Sequence, residues 1–357
     1  MEASPPDSIK RTSPMNRWLP AIVLCAAALA SRWAFAQGDA TEPAPINLAW
    51  RTLGGEQFWS DELVYGQWRI QRNEITGHFR LLDPHDVRRA WGTAEQCRNS
   101  FAEVKRTEGL ARLDGRAVIT LHGLGRTRNH MSAIGKALER PGNFTWINVS
   151  YASTRRSLDD HAESLAHVID GLEGIDEIDF VCHSLGNLIV RRYLGEASTS
   201  EPRWKIDQRI KRMVMLGPPN NGAKLAEVVA ELLHDNELAR LIAGPSAWQL
   251  ARQWDESKKL LATPDFEFGI LAGGRGDDRG LNPLVHGDDD LIVSVEETRL
   301  PGATDFRVVN CRHGRLMDDA AVQEYVLNFL ERGCFTTVDE RQPIVNSERT
   351  AALPNQP

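Results

Sequence analysis

Phe180-Val181-Cys182-His183-Ser184-Leu185-Gly186-Asn187 is the stretch that decides the fold. An apolar run ends here, a serine sits on a tight turn, and an amphipathic pattern begins at once. A strand that feeds a helix through so short a connection needs small residues two before and two after the serine, because strand and helix close on each other there. Gly186 meets this need on the helix side. Cys182, on the strand side, is small but not minimal. Such a turn projects Ser184 Oγ above a sheet. It also leaves the Leu185 N–H, at a helix N-terminus, free to donate to developing negative charge. The plainer alternative is that Ser184 only caps a helix. Its surroundings argue for the catalytic reading.

Working outward, short apolar runs recur at 117–121, 146–149, 178–182, 212–216, 266–271 and 306–309. Helical patterns at 129–138, 158–172, 185–194, 224–233 and 318–330 lie between and after them. Strands alternating with helices imply βαβ units and an α/β, doubly wound, mainly parallel sheet over 115–335. The continuous Val/Ile/Leu character fits strands buried on both faces. Residues 223–263 read as a helical cap insertion over a site. Upstream, 50–114 forms a small β-containing extension with four tryptophans, Trp50, Trp59, Trp68 and Trp91. Apolar residues at period 2 between Gln67 and Leu82 predict a hairpin turning near 73–77. A carbohydrate-binding module is one reading of the tryptophans; core packing is the plainer and preferred one.

After the first run of the parallel sheet comes His122-Gly123-Leu124-Gly125-Arg126-Thr127. A His-Gly turn at this point can present a second backbone donor to an oxyanion; the Leu124 N–H is assigned that role, with His122 and Gly123 shaping the turn. No G-x-x-x-x-G-K and no G-x-G-x-x-G fingerprint occurs, which argues against nucleotide binding. A serine nucleophile needs a base and an acid later in the chain. Three histidines follow Ser184: His234, His286 and His313. His234 falls within the helical insertion, and His286 precedes the acidic cluster. His313 follows the last run and is the expected base. The acid belongs on the loop after 266–271, which carries Asp277, Asp278, Asp288, Asp289 and Asp290. Asp290 is the first choice and Asp289 the second.

These pieces resemble the lipase/esterase branch of the α/β-hydrolases, particularly bacterial secreted class 2 lipase-like and GPI-inositol-deacylase-like hydrolases. The resemblance rests on His122-Gly123-Leu124-Gly125-Arg126, His183-Ser184-Leu185-Gly186 and Leu216-Gly217-Pro218-Pro219-Asn220-Asn221-Gly222. Further on, Gly287-Asp288-Asp289-Asp290 precedes Val293-Ser294-Val295, and Arg312-His313-Gly314 follows. It implies the α/β-hydrolase fold, a Ser184–Asp290–His313 triad, an oxyanion hole at Leu124 and Leu185, support from His122, Gly123, His183 and Gly186, and cleavage of carboxylic esters. No metal and no organic cofactor is implied, although some family members hold structural Ca²⁺, for which Asp288 and Asp289 would be candidates. The chain departs from the family pattern in three places: Cys182 stands for glycine, Leu291 for the glycine after the acid, and Arg312 adds a cation before His313. An acyltransferase on the same triad and a catalytically idle lipid- or partner-binding fold are the alternatives.

Composition sets the outer bounds. The 42 Lys and Arg stand against 49 Asp and Glu, a net charge of −7. That balance argues against nucleic acid as a partner. The expected partner is a small-molecule or lipid ester, with peripheral membrane contact left open. Arg17, an apolar stretch over 19–30 and Ala34-Phe35-Ala36 read as a signal peptide over 1–36, cleaved after Ala36, followed by a 37–49 linker. The expectation is a secreted or periplasmic protein, with an uncleaved anchor as the alternative. Cys97, Cys182, Cys311 and Cys334 show no C-x-x-C spacing. A Cys97–Cys334 bridge and a Cys182–Cys311 approach both stay open. Residues 336–357 read as a disordered polar tail.

Overall fold

The structure is a computed structural model that describes residues 50–51, 56–139, 143–224 and 237–345. The expected signal peptide and linker, His234 and nearly all of the 224–233 helix lie outside the described residues. Among the described residues no helix is long and apolar enough to cross a membrane.

The extension is an antiparallel sheet of β1 (Trp50–Arg51), β2 (Trp59–Tyr65), β3 (Trp68–Asn73), β4 (Phe79–Leu82) and β5 (Val87–Gly92), in the order β1-β5-β4-β3-β2. The expected hairpin is β3–β4. Its turn is set by Asn73, whose Oδ1 accepts the N–H groups of Ile75 and Thr76 at 3.0 and 2.9 Å. Helix α1 (Ala94–Thr107) starts from a capping box, Thr93 with Gln96. The tryptophans divide. Trp68 packs in the core beside Phe101, and Trp59 lies under the Arg80 guanidinium at 3.8 Å. Trp91 is exposed and stacks on His78. Core packing therefore accounts for Trp68, while Trp91 belongs to the surface.

The second sheet carries β6 (Arg116–Leu121), β7 (Thr145–Val149), β8 (Glu177–His183), β9 (Ile210–Leu216), β10 (Glu267–Gly274) and β11 (Asp305–Asn310). The order is β11-β10-β9-β8-β6-β7 and every pairing is parallel. Alternate side chains explain the two layers. Val118, Val181, Val214 and Leu271 pack in one cluster with residues of α2 (Ser132–Glu139) and of α8 (Ala320–Arg332). Ile119, Phe180, Met213 and Ile270 pack in the other, with α3 (Leu158–Asp170) and α4 (Leu185–Ala197). This is the doubly wound α/β architecture expected. The chain goes outward from β6 in both directions, to β7 on one side and β8 on the other. The crevice at the carboxyl ends of β6 and β8 is therefore a topological switch point, where open α/β sheets place their sites.

One buried carboxylate joins the two sheets. Asp61 Oδ2 accepts the Ser150 N–H and Arg69 Nη1, both at 2.6 Å, and Oδ1 accepts Gln71 Nε2 at 2.8 Å. The Asp61 N–H donates to the Ser150 carbonyl at 2.9 Å. The described part of the insertion holds two helices, α5 (Glu237–Arg252), kinked at Gly244-Pro245, and α6 (Trp254–Lys259). Ser246 Oγ donates to the Arg156 carbonyl at 2.8 Å, and the Leu158 N–H donates to Gln249 Oε1 at 2.9 Å. Helix α7 (Val295–Thr298) follows the acidic loop.

Residues 336–345, expected as part of a disordered tail, are held in place. The Ile344 N–H donates to the Ala303 carbonyl at 3.0 Å and the Gln342 N–H to Asp305 Oδ1 at 2.9 Å, so the chain is anchored as far as Ile344. Residues 346–357 lie outside the described residues. All four cysteines of the described chain are buried free thiols, so neither cysteine pair is bridged. Cys97 sits in the core cluster around α1, while Cys334 Sγ lies 3.8 Å from the Thr336 carbonyl.

Candidate active site

The register brings five loops to one edge of the parallel sheet. Leu121 pairs with Cys182, His183 with Leu216, Leu216 with Leu271, and Gly274 with Asn310. Their carboxyl-end loops carry His122–Gly125, Ser184, Gly217–Gly222, Asp290 and His313.

Ser184 has φ 52° and ψ −120°, a conformation that L side chains rarely adopt. Its N–H bonds the Leu216 carbonyl at 2.9 Å, and its side chain caps nothing. The capping alternative therefore fails: the turn holds the hydroxyl away from the helix it precedes. Gly186 is needed for contact, since a Cβ there would lie 2.7 Å from the Leu121 carbonyl oxygen. Cys182 is accommodated, fully buried in the core cluster, and burial pushes its thiol well above the usual range. It is no rival nucleophile.

Asp290 and His313 meet. His313 Nδ1 donates to Asp290 Oδ2 at 2.7 Å, and the His313 N–H donates to the Asp290 carbonyl at 2.8 Å. Asp290 Oδ1 accepts the N–H groups of Ile292 and Val293 at 3.0 and 2.8 Å. With Nδ1 protonated, the Nε2 lone pair of His313 is the basic one. Ser184 Oγ makes no hydrogen bond among the described residues. Unliganded sites often have loose nucleophile–base contacts that tighten with substrate. Gly217, which follows the Leu216 carbonyl that bonds Ser184, would place a Cβ 3.1 Å from His313 Nδ1, so a side chain there would press on the imidazole.

The other candidates have different work. Asp289 is buried and its carboxylate accepts the N–H groups of Leu281, Asn282 and Leu291. Asp288 accepts those of Arg275 and Gly276. These two carboxylates are spent on folding their own loop. Among the described residues no His, Cys, Asp and Glu group is arranged to hold a metal ion. His286 and Arg312 are exposed.

The His122–Gly125 turn is tied from below. His122 is buried and stacks on Tyr151 at 4.0 Å; its Nδ1 donates to the Gly123 carbonyl at 2.9 Å. The Tyr151 hydroxyl donates to the His122 carbonyl. The Gly125 N–H donates to Ser153 Oγ at 3.0 Å, and Gln57 Nε2 donates to the Arg126 carbonyl at 2.6 Å. The N–H groups of Leu124 and Leu185 donate to no described residue, so both are available to an oxyanion. His183 bonds the His313 carbonyl through Nε2 at 3.0 Å. Tyr151, Ser153 and Gln57 carry no motif of their own. Asn220 is buried in the Pro-Pro-Asn-Asn turn, where its Oδ1 accepts Arg191 Nη1 at 3.0 Å and its Nδ2 donates to the Thr298 carbonyl at 2.8 Å.

The chain matches no protein-family model and no curated protein. Among solved structures it is similar to phospholipase PlaB from Legionella pneumophila, at 16% identity and TM-score 0.43 over 63% of this chain. The chain spans 60% of the length of that phospholipase structure. A hydrolase from Oleispira antarctica gives 14% identity and TM-score 0.44, over 62% of this chain and 92% of that one. A metagenomic carboxyl esterase gives 20% and 0.40, over 57% and 66%. The parallel sheet order, the strained serine between β8 and α4, and the Asp290–His313 pair beyond β10 and β11 define the class: this is a protein of the α/β-hydrolase fold.

Proposed function

We propose that the protein is a serine hydrolase of carboxylic esters. The observation that carries this reading is the 2.7 Å bond from His313 Nδ1 to the buried Asp290, at the same sheet edge as the strained Ser184. In this reading Ser184 Oγ attacks the ester carbonyl and His313 Nε2 takes its proton. Asp290 keeps His313 in the productive tautomer and stabilises the imidazolium. The free N–H groups of Leu124 and Leu185 receive the oxyanion, each contributing about 2.7–4 kcal/mol of transition-state stabilisation. His313 returns the proton to the leaving alcohol, and water then hydrolyses the acyl-enzyme. The 223–263 insertion, with helices α5 and α6, serves as a cap, and the mature protein is exported.

Labelling with a fluorophosphonate probe tests the reading, with p-nitrophenyl ester turnover at short and long chain length in parallel. Labelling and turnover that vanish in Ser184→Ala support it, and the chain-length ratio separates esterase from lipase. A folded protein that neither labels nor turns over ester sinks it and brings the idle binding fold forward. Ester formation with added alcohol in place of hydrolysis would make it an acyltransferase.

A further inference from the structure

Two histidines outside the Ser184–Asp290–His313 set point at the same short stretch of backbone. His183 Nε2 lies 3.0 Å from the His313 carbonyl oxygen, and His130 Nε2 lies 3.3 Å from the Gly314 carbonyl oxygen. A carbonyl oxygen only accepts, so each ring must carry its proton on Nε2. The remaining nitrogen of each, Nδ1, is buried with no partner. The whole hydrogen-bonding capacity of both rings, as seen among the described residues, therefore goes to the loop that carries the base. The rings also form a row: His130 meets His183 edge-on at 5.4 Å, and His183 meets His313 at 4.6 Å.

We propose that His130 and His183 are positioning residues that clamp the His313–Gly314 backbone, a proposal that rests on the serine-hydrolase reading. Their origins make the clamp informative. His183 directly precedes Ser184, and His130 sits in the single turn Arg128–Met131 that follows the His122–Thr127 segment. The two bonds thus tie the base loop to the nucleophile strand and to the oxyanion segment. Gly123 makes room, because a Cβ there would fall 2.9 Å from His183 Nδ1. Together with Asp290, the clamp engages His313 at its N–H, its carbonyl and its Nδ1, leaving Nε2 for chemistry. Burial depresses the basicity of both clamp histidines, so each stays a neutral donor. Packing alone does not call for imidazoles. A phenylalanine would fill the same space without a buried unpartnered nitrogen. What imidazole adds is the bond, and displacements of about 1 Å at a reacting centre cost about 100-fold in rate.

The test uses His130→Phe, His183→Phe, the double variant, and the donor-retaining His130→Gln and His183→Gln. Each phenylalanine should lower kcat about tenfold with KM held within about twofold, and each glutamine should restore most of the loss. An unchanged kcat in the double variant overturns the proposal. So does a rise in KM alone, which would put the histidines on the substrate, or glutamine variants no better than phenylalanine. The downfield imidazole N–H resonance of His313 gives a second readout that needs no turnover. It should broaden or shift in the double phenylalanine variant and return in the glutamine variants. That resonance keeps the clamp testable if the parent hydrolyses no ester, an outcome that would count against the functional reading alone. If His183→Phe does not fold, half-buried His130 carries the test.

Discussion

Asp290 grips His313 twice, through its carboxylate at Nδ1 and through its own backbone carbonyl at the peptide N–H, at 2.7 and 2.8 Å. Only the first grip depends on the side chain, so Asp290→Asn should leave the loop in place while offering Nδ1 the wrong partner. We expect kcat to fall about 10⁴-fold with the fold retained, read by ester turnover and circular dichroism. Asp289→Asn should do the reverse. Its carboxylate holds three backbone N–H groups and faces no base, so stability should fall while residual kcat stays far above that of Asp290→Asn. If Asp289→Asn is the more crippled of the two, the acid is misassigned.

Leu291 follows Asp290 at φ 91°, in the left-handed region that favours glycine. The Leu291 N–H is held by Asp289 and its carbonyl by Asn282 Nδ2, so the backbone cannot relax without breaking the acidic loop. A strained residue of this kind costs about 1–3 kcal/mol, and glycine gives back about 0.5–1 kcal/mol in chain entropy. Leu291→Gly should therefore stabilise the protein by about 1 kcal/mol in denaturant titration. A loss of stability would mean that the half-buried leucine side chain outweighs the strain.

How far the sequence was legible follows from where each signal lives. All six parallel strands could be placed from their apolar runs, because strands buried on both faces need continuous Val, Ile and Leu. Ser184 and His313 were identifiable as candidates because a tight strand–helix turn and chain order restrict the options. Asp290 against Asp289 was not: five acids share one loop, and only the folded chain shows that Asp289 faces backbone N–H groups while Asp290 faces an imidazole. His130 and Tyr151 were also silent, since their partners are backbone carbonyls far along the chain, which leave no trace in spacing. The tail was misjudged at 336–345 because its anchors are backbone N–H groups, which any composition supplies.

Asp61 links the antiparallel sheet to the end of β7, two residues upstream of Ala152 and three of Ser153, which braces the His122–Gly125 turn. It is fully buried, as is almost all of its partner Arg69. Removing one member of a buried pair leaves an uncompensated charge, so Asp61→Ala should cost about 3–5 kcal/mol. Asp61→Ala with Arg69→Met should recover part of that loss. If Asp61→Ala changes stability by less than about 1 kcal/mol, the two sheets are not coupled through this carboxylate.

Acid should weaken the fold through buried neutral histidines. Burial pushes His122 down to about 4 and His161 down to about 3, and neither ring nitrogen of His161 has a partner. In the unfolded chain both titrate near about 6.5. Between that value and the folded ones the unfolded chain binds protons that the folded chain cannot. The stabilisation is thus complete above about pH 6.5 and lost as pH falls toward 4 for His122 and toward 3 for His161. Each histidine can contribute a slope of up to about 1.4 kcal/mol per pH unit across that window. Denaturant titrations at about pH 7, 6 and 5 should show the decline. His161→Phe, which keeps the shape and removes the proton site, should make it shallower by up to one proton. A stability that stays flat from pH 7 to 5 would mean that water reaches these rings and lets them charge in the folded state.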